Sequence, residues 1–172
     1  DRENANFQQV FTALTNKFGS RLIPVQIPVG TAENFKGFVD VLSGIAYLDG
    51  KEAEVPADLK AQVDEYYHLL LEAAAETDDD LLTKYLEGET LTKEEVLNGF
   101  RKGTMARQII PVMCGSAVKN IGIEHLMKKV IEVLPSPADT KPELTINPQT
   151  NEEQEIKAEV TSPMAALVFK TM

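Results

Sequence analysis

The stretch Ile109-Ile110-Pro111-Val112-Met113-Cys114-Gly115-Ser116-Ala117-Val118-Lys119-Asn120 decides how the chain is read. Its first six residues are continuously apolar, without polar alternation. That is the pattern of a strand covered on both faces, as in parallel sheets flanked by helices. Small residues follow, and then Ile123, Leu126, Met127, Val130, Ile131 and Leu134 recur at helical spacing. A buried strand, a small-residue turn and an amphipathic helix make half of a parallel α/β unit. In open sheets of this kind, ligands bind just outside the carboxyl ends of the strands. An ordinary connecting turn has the same periodicity, so pattern alone leaves both uses open.

On the N-terminal side, Asn4 or Asn6 can cap a helix carrying Phe7, Val10, Phe11, Leu14 and Phe18, with Gly19 as its stop. Residues 22–29, 37–42 and 44–48 are short runs rich in β-branched and aromatic side chains. They are separated by Gly30, Gly37, Gly44 and the Asp49-Gly50 turn. Two to four strands are expected, antiparallel because the connections are too short for crossovers. Pro56 suits the first turn of a long helix reaching about Thr77, with Leu59, Val63, Tyr66 and Leu70 on one face. Thr77 and the three aspartates after it open a short helix, since acids suit the positive helix start. Thr92 and Glu95 fit a capping box at the start of a third. Beyond residue 135, Pro135, Pro137, Pro142 and Pro148 mark a linker, and residues 156–160 and 165–170 read as new strands.

Composition bounds what such a chain can do. With 172 residues, 43% hydrophobic and 26% charged, it is expected to be soluble and globular, one domain or two small ones. One cysteine cannot form an internal bridge, which points to a reducing, cytoplasmic setting. No apolar run approaches the roughly 20 residues of a membrane span, and residues 1–6 lack the layout of a signal peptide. Neither membrane insertion nor secretion is expected. The net charge is −10, and residues 51–102 hold fourteen acids and six bases, a local −8. So acidic a surface repels phosphate backbones, leaving little direct nucleic-acid binding and favouring a basic protein partner. The first-turn acids Asp78, Asp79, Asp80, Glu94 and Glu95 are the candidate contacts. A merely solvated helix surface accounts for the same charges.

Catalytic chemistry is not legible. His68 and His125 lack a ligand-spaced partner, which argues against metal binding or acid–base work. Cys114 ends a buried strand where a small apolar residue is wanted, and Ser116 lacks the second glycine of a nucleophile elbow.

The turn Gly115-Ser116-Ala117 with Lys119-Asn120, the strand entry Asn34-Phe35-Lys36-Gly37, the segment Lys84-Tyr85-Leu86-Glu87-Gly88-Glu89 and the helix end Leu134-Pro135-Ser136-Pro137 together carry a specific resemblance. Over nearly its whole length the chain resembles translational GTPases of the bacterial elongation factor G family. Asp1-Arg2 then looks like the end of that family's Asn-Lys-x-Asp guanine motif. By this resemblance, Asp1 accepts the guanine N1 and N2 hydrogens. Ser116, Ala117 and Val118 form the opposite wall, and the Ala117 amide donates to guanine O6.

The fold so implied is α/β with an α+β insert: a truncated P-loop-GTPase-type remnant carrying a small, mainly antiparallel sheet and three acidic helices. Residues 1–22 and 109–135 would be GTPase-domain remnants, 23–108 the inserted subdomain, 136–158 a linker and 159–172 the start of a β-barrel domain. The resemblance further implies a parent protein that binds GTP or GDP with Mg²⁺ and couples hydrolysis to tRNA and mRNA translocation on the ribosome. Its insert would contact the C-terminal domain of the ribosomal stalk protein. The chain has no Gly-x-x-x-x-Gly-Lys-Ser/Thr loop, switch region or Asp-x-x-Gly motif. It is therefore expected to be a non-catalytic piece that holds neither nucleotide nor metal by itself. The alternatives are a recycling or protection paralogue of the same family, or an autonomous acidic adaptor without any nucleotide link.

Overall fold

The computed structural model describes residues 1–147, 149–162, 164, 166 and 168–170. They form two units, Asp1–Leu134 and Pro135–Met172.

The first unit opens with helix α1, Phe7–Phe18. The Asn6 side chain caps it by accepting from the Gln9 amide at 3.0 Å, and Gly19 ends it at φ 81°. Strand β1, Leu22–Pro24, then pairs in parallel with β6, Ile110–Val112, in the register Ile23↔Pro111. At Val25 the chain changes sheets. The Val25 amide donates to Val112 O at 2.9 Å, while its carbonyl accepts from the Val41 amide at 3.0 Å. From there β2 (Gln26–Val29), β3 (Gly37–Asp40), β4 (Ile45–Leu48) and β5 (Lys51–Ala53) form one antiparallel sheet in chain order. Asp49 and Gly50, at φ 50° and 78°, make the two-residue turn that β4 and β5 share. Positive φ at both positions matches the right-handed strand twist.

Helices α2 (Lys60–Ala75), α3 (Asp79–Leu86) and α4 (Lys93–Met105) follow. The long helix starts at Lys60 rather than at Pro56, because residues 56–59 close a separate turn, Leu59 N to Pro56 O at 3.0 Å. Asp78, not Thr77, caps α3 by accepting from the Asp80 amide. Thr77 instead donates its hydroxyl to Ala74 O at 2.7 Å and to Gly99 O at 3.1 Å, tying α4 to the end of α2. Thr92 and Glu95 form the full capping box of α4. Helix α5, Ile123–Val133, follows the 113–122 loop.

Two apolar cores result. Ile27, Val39, Val41, Ala46, Val63 and Tyr66 fill one, against the partly buried Phe7 and Phe11 of α1. In the other, Ile23, Val25, Ile109 and Val133 pack with Leu70, Ala74, Val96 and Phe100. The first core, through Phe7 and Phe11, draws on residues from both sides of the 22/23 boundary, which cuts β1 itself, and the second, through Ile109 and Val133, on both sides of the 108/109 boundary. No helix among the described residues is long and apolar enough to cross a membrane.

Within the stretch expected as the 136–158 linker, the second unit contains an antiparallel hairpin, β7 (Glu143–Ile146) with β8 (Glu153–Ile156). Asn147 closes the turn by accepting the Gln149 amide at 2.9 Å. Glu153-Gln154-Glu155 has no apolar alternation to announce a strand, so hydropathy missed it. The strand expected over 156–160 ends at Ile156 instead. The strand expected over 165–170 and the barrel start over 159–172 fall partly on residues outside those described. The fold as a whole is mixed α/β with small sheets, mostly antiparallel, and its parallel character rests on the β1–β6 pair.

Candidate functional site

The loop after β6 is held shut on itself. The Ser116 amide donates to Ile121 O, and the Ile121 amide donates back to Ser116 O, both at 2.9 Å. Gly115 permits this closure, since a Cβ there would lie 2.8 Å from Ile121 O. Asn120 at φ 54° turns the loop, and Gly122 at φ 81° releases the chain into α5. Asparagine and glycine suit that left-handed backbone. Beneath the loop, fully buried Gln26 accepts the Cys114 amide on Oε1 at 3.3 Å, fixing the strand end to the start of β2. The Gln26 Nε2 has no hydrogen-bond partner.

Ser116 is 1% exposed, and its hydroxyl is used twice. Oγ donates to Asp1 Oδ2 at 2.8 Å and accepts the Lys119 amide at 3.0 Å. Residues 115 positions apart therefore meet in one polar pair. A buried hydroxyl without partners would cost about 1–3 kcal/mol, so the pair removes a penalty as well as orienting the carboxylate. Asp1 lines a cavity of about 310 Å³ together with Phe7, Pro28, Phe35, Met113 and Gly115. Ala117 and Val118 are exposed, Val118 at 76%, and do not line that cavity. Of the four residues expected at the guanine, the structure thus brings Asp1 and Ser116 together and leaves Ala117 and Val118 facing solvent. Cys114 beside them is mostly buried, which pushes its thiol up to about 12 and disarms it as a nucleophile.

The five acids expected at the partner surface divide. Asp78 pairs with Lys102 at 2.9 Å and caps α3, so its carboxyl is held below the usual range by the lysine first and the amides second. Glu95 accepts from Lys84 Nζ at 2.6 Å and from the Thr92 amide at 2.8 Å, and its carboxyl falls to about 2. Both are committed within the fold. Asp79, Asp80 and Glu94 are exposed and left for solvent or a partner. His68 is exposed, whereas His125 packs on Tyr47 at 4.2 Å and Phe38 at 4.9 Å. No group of three metal-ligating side chains occurs among the described residues.

Sequence reasoning missed the structural work of Lys119 and Gln26. Lys119 Nζ donates to Glu33 O at 2.9 Å and Phe35 O at 3.4 Å, across the loop joining β2 to β3. Nothing local in the sequence signals either contact, because each partner lies more than eighty residues away.

No family model matches the chain. Among solved structures, it is similar to the crystal structure of a protein from Thermus thermophilus, at 32% sequence identity and a TM-score of 0.72. The match covers 81% of this chain and 22% of that one, so the chain spans about 22% of the length of the protein it matches.

Proposed function

We propose that this chain is the guanine-recognition and inserted-subdomain segment of a translational GTPase of the elongation factor G type. In the whole protein GTP hydrolysis, with Mg²⁺, would drive tRNA and mRNA movement on the ribosome. The observation that carries the reading is the 2.8 Å hydrogen bond from Ser116 to Asp1, formed just past the carboxyl end of β6. A carboxylate held by a buried hydroxyl keeps a fixed edge toward a ligand, and two acceptor oxygens match the N1–H and N2–H of guanine. Adenine presents an acceptor at N1 and no amino group at C2, so the same edge discriminates against it. An Ala117 amide on O6 would need the 117–118 segment to turn toward the base. Residues 23–108, which carry the antiparallel sheet and α2–α4, would be the insert, and the exposed acids Asp79, Asp80 and Glu94 favour a basic stalk-protein domain as its partner. In this reading the chain alone hydrolyses nothing, because phosphate-loop amides, a lysine and Mg²⁺ are what hold a triphosphate.

The codons upstream of Asp1 test this directly. They should encode Asn-Lys three and two positions before Asp1, with a phosphate loop further upstream. Their absence would leave an acidic adaptor as the better description. Micromolar, guanine-specific nucleotide binding by the 172-residue chain would equally contradict the division of labour proposed here.

A further inference from the structure

Lys119 joins two features that the sequence keeps far apart. Its amide donates to Ser116 Oγ, the atom that in turn donates a hydrogen bond to Asp1, while its ammonium donates to Glu33 O and Phe35 O. Those carbonyls belong to the tight connection between β2 and β3, a 3₁₀ turn over Ala32–Asn34 with the Phe35 amide bonded to Ala32 O at 3.1 Å. The connection is strained as well as tight. Ala32 sits at φ 48°, a left-handed value that is unfavourable for a non-glycine residue. Gly30 lies so close to the end of the turn that a Cβ there would overlap the Asn34 carbonyl. A strained turn persists only where surrounding contacts hold it, and a charged donor shared by two of its carbonyls is such a contact. Phe35 is buried and lines the cavity that Asp1 also lines. The two walls of that cavity are therefore joined through one lysine.

We propose that Lys119 is a positioning residue that makes the 31–36 turn and the Asp1–Ser116 pair one cooperative unit, so that disorder in either loosens the other. The inference rests on Asp1–Ser116 being the base-recognition pair of the proposed function. Under it, the inserted sheet contributes to base recognition through Lys119 rather than only carrying a partner surface. A lysine that merely stabilises its own loop would lack reciprocity, since coupling between two sites must act equally in both directions.

Amide hydrogen exchange by NMR on the 172-residue chain separates the two. Lys119→Met should speed exchange about tenfold both at Ile121, in the loop bridge, and at Phe35 and Lys36, in the turn. Lys119→Arg keeps the charge and the donors and should restore most of the protection. Gly30→Ala, which disturbs the turn from its far side, should speed exchange at Ile121 as well. Amides of α4 report the global fold and should not change. The proposal is overturned if Lys119→Met affects the 116–121 loop alone, if Gly30→Ala leaves Ile121 unchanged, or if α4 loses protection together with the loops. These measurements use no nucleotide, so their failure is distinct from failure of the guanine reading, which the upstream codons decide.

Discussion

Gly99→Ala sets two effects of opposite sign against each other and tests the crossing of α2 and α4 that carries the acidic face. In an exposed helix interior the change would stabilise by about 1 kcal/mol, the intrinsic preference for alanine. At Gly99 the added Cβ would lie 2.6 Å from the Ala74 carbonyl oxygen and 3.2 Å from Leu81 Cδ1. The first contact is with backbone, which no rotamer change relieves. Moving α4 outward would also stretch the Thr77 hydroxyl bond to Gly99 O. Overpacking of this kind costs about 1–3 kcal/mol, and a backbone clash places the cost near the upper end, leaving a net loss of about 2 kcal/mol. For a unit of this size that lowers Tm by roughly 8 °C. Gly103→Ala is the internal control. Its Cβ would meet side chains rather than backbone, Ile109 Cδ1 at 2.5 Å and Thr77 Cγ2 at 2.9 Å, and the Ile109 end can turn aside. Thermal and urea unfolding followed by circular dichroism should therefore rank Gly99→Ala as the more damaging. A stabilised Gly99→Ala protein, or the opposite ranking, would refute the close backbone approach of the two helices.

Three further outcomes follow from the charges and the thiol. Glu95, held at about 2 by Lys84 and the Thr92 cap, contributes stability that is fully present above its unfolded value near 4.5 and is lost as pH falls toward 2. A carboxyl NMR titration should show this, and Lys84→Met should move the midpoint upward; an unmoved midpoint would remove the lysine as the cause. Cys114 should resist a thiol reagent at about pH 8 in the native protein and react at once in denaturant, and prompt native reaction would contradict its burial. Reversing Asp79 and Asp80 to lysine should slow association with the proposed basic stalk-protein domain several-fold at low salt, lower stability modestly because first-turn acids favour the start of α3, and lose its effect on association at high salt where screening shortens to about 3 Å. An unchanged low-salt association rate would remove α3 from the contact.

Much of the fold was legible where one residue type has one use. Asn6 and Gly19 bound α1, Thr92 with Glu95 starts α4, and Asp49-Gly50 turns a hairpin, because each supplies a bond or a backbone angle that few other residues provide. The errors have the opposite character. Pro56 is equally at home in a free turn and in a first helical turn, and Thr77 competes with Asp78 for the same cap but spends its hydroxyl on Ala74 and Gly99. Strands β5 and β8 are too polar to show a period of two.

The candidate site was legible in its residues and not in its assembly, for a reason that bears on how far such a reading can go. Asp1 and Ser116 were singled out separately, yet what orients them is a chain of contacts through Lys119 and Gln26, whose partners are backbone groups. A carbonyl such as Phe35 O or an amide such as Cys114 N–H is present at nearly every position, so no residue pattern marks the one that will be used. The acids show the same limit in reverse. Five first-turn carboxylates looked alike in sequence, because the helix start favours each of them. Their neighbours across the fold, Lys102 for Asp78 and Lys84 for Glu95, decide which are structural. Asp79, Asp80 and Glu94 are left facing water, and if the acidic helices have a partner, its cations must meet these three before they can compete for the other two.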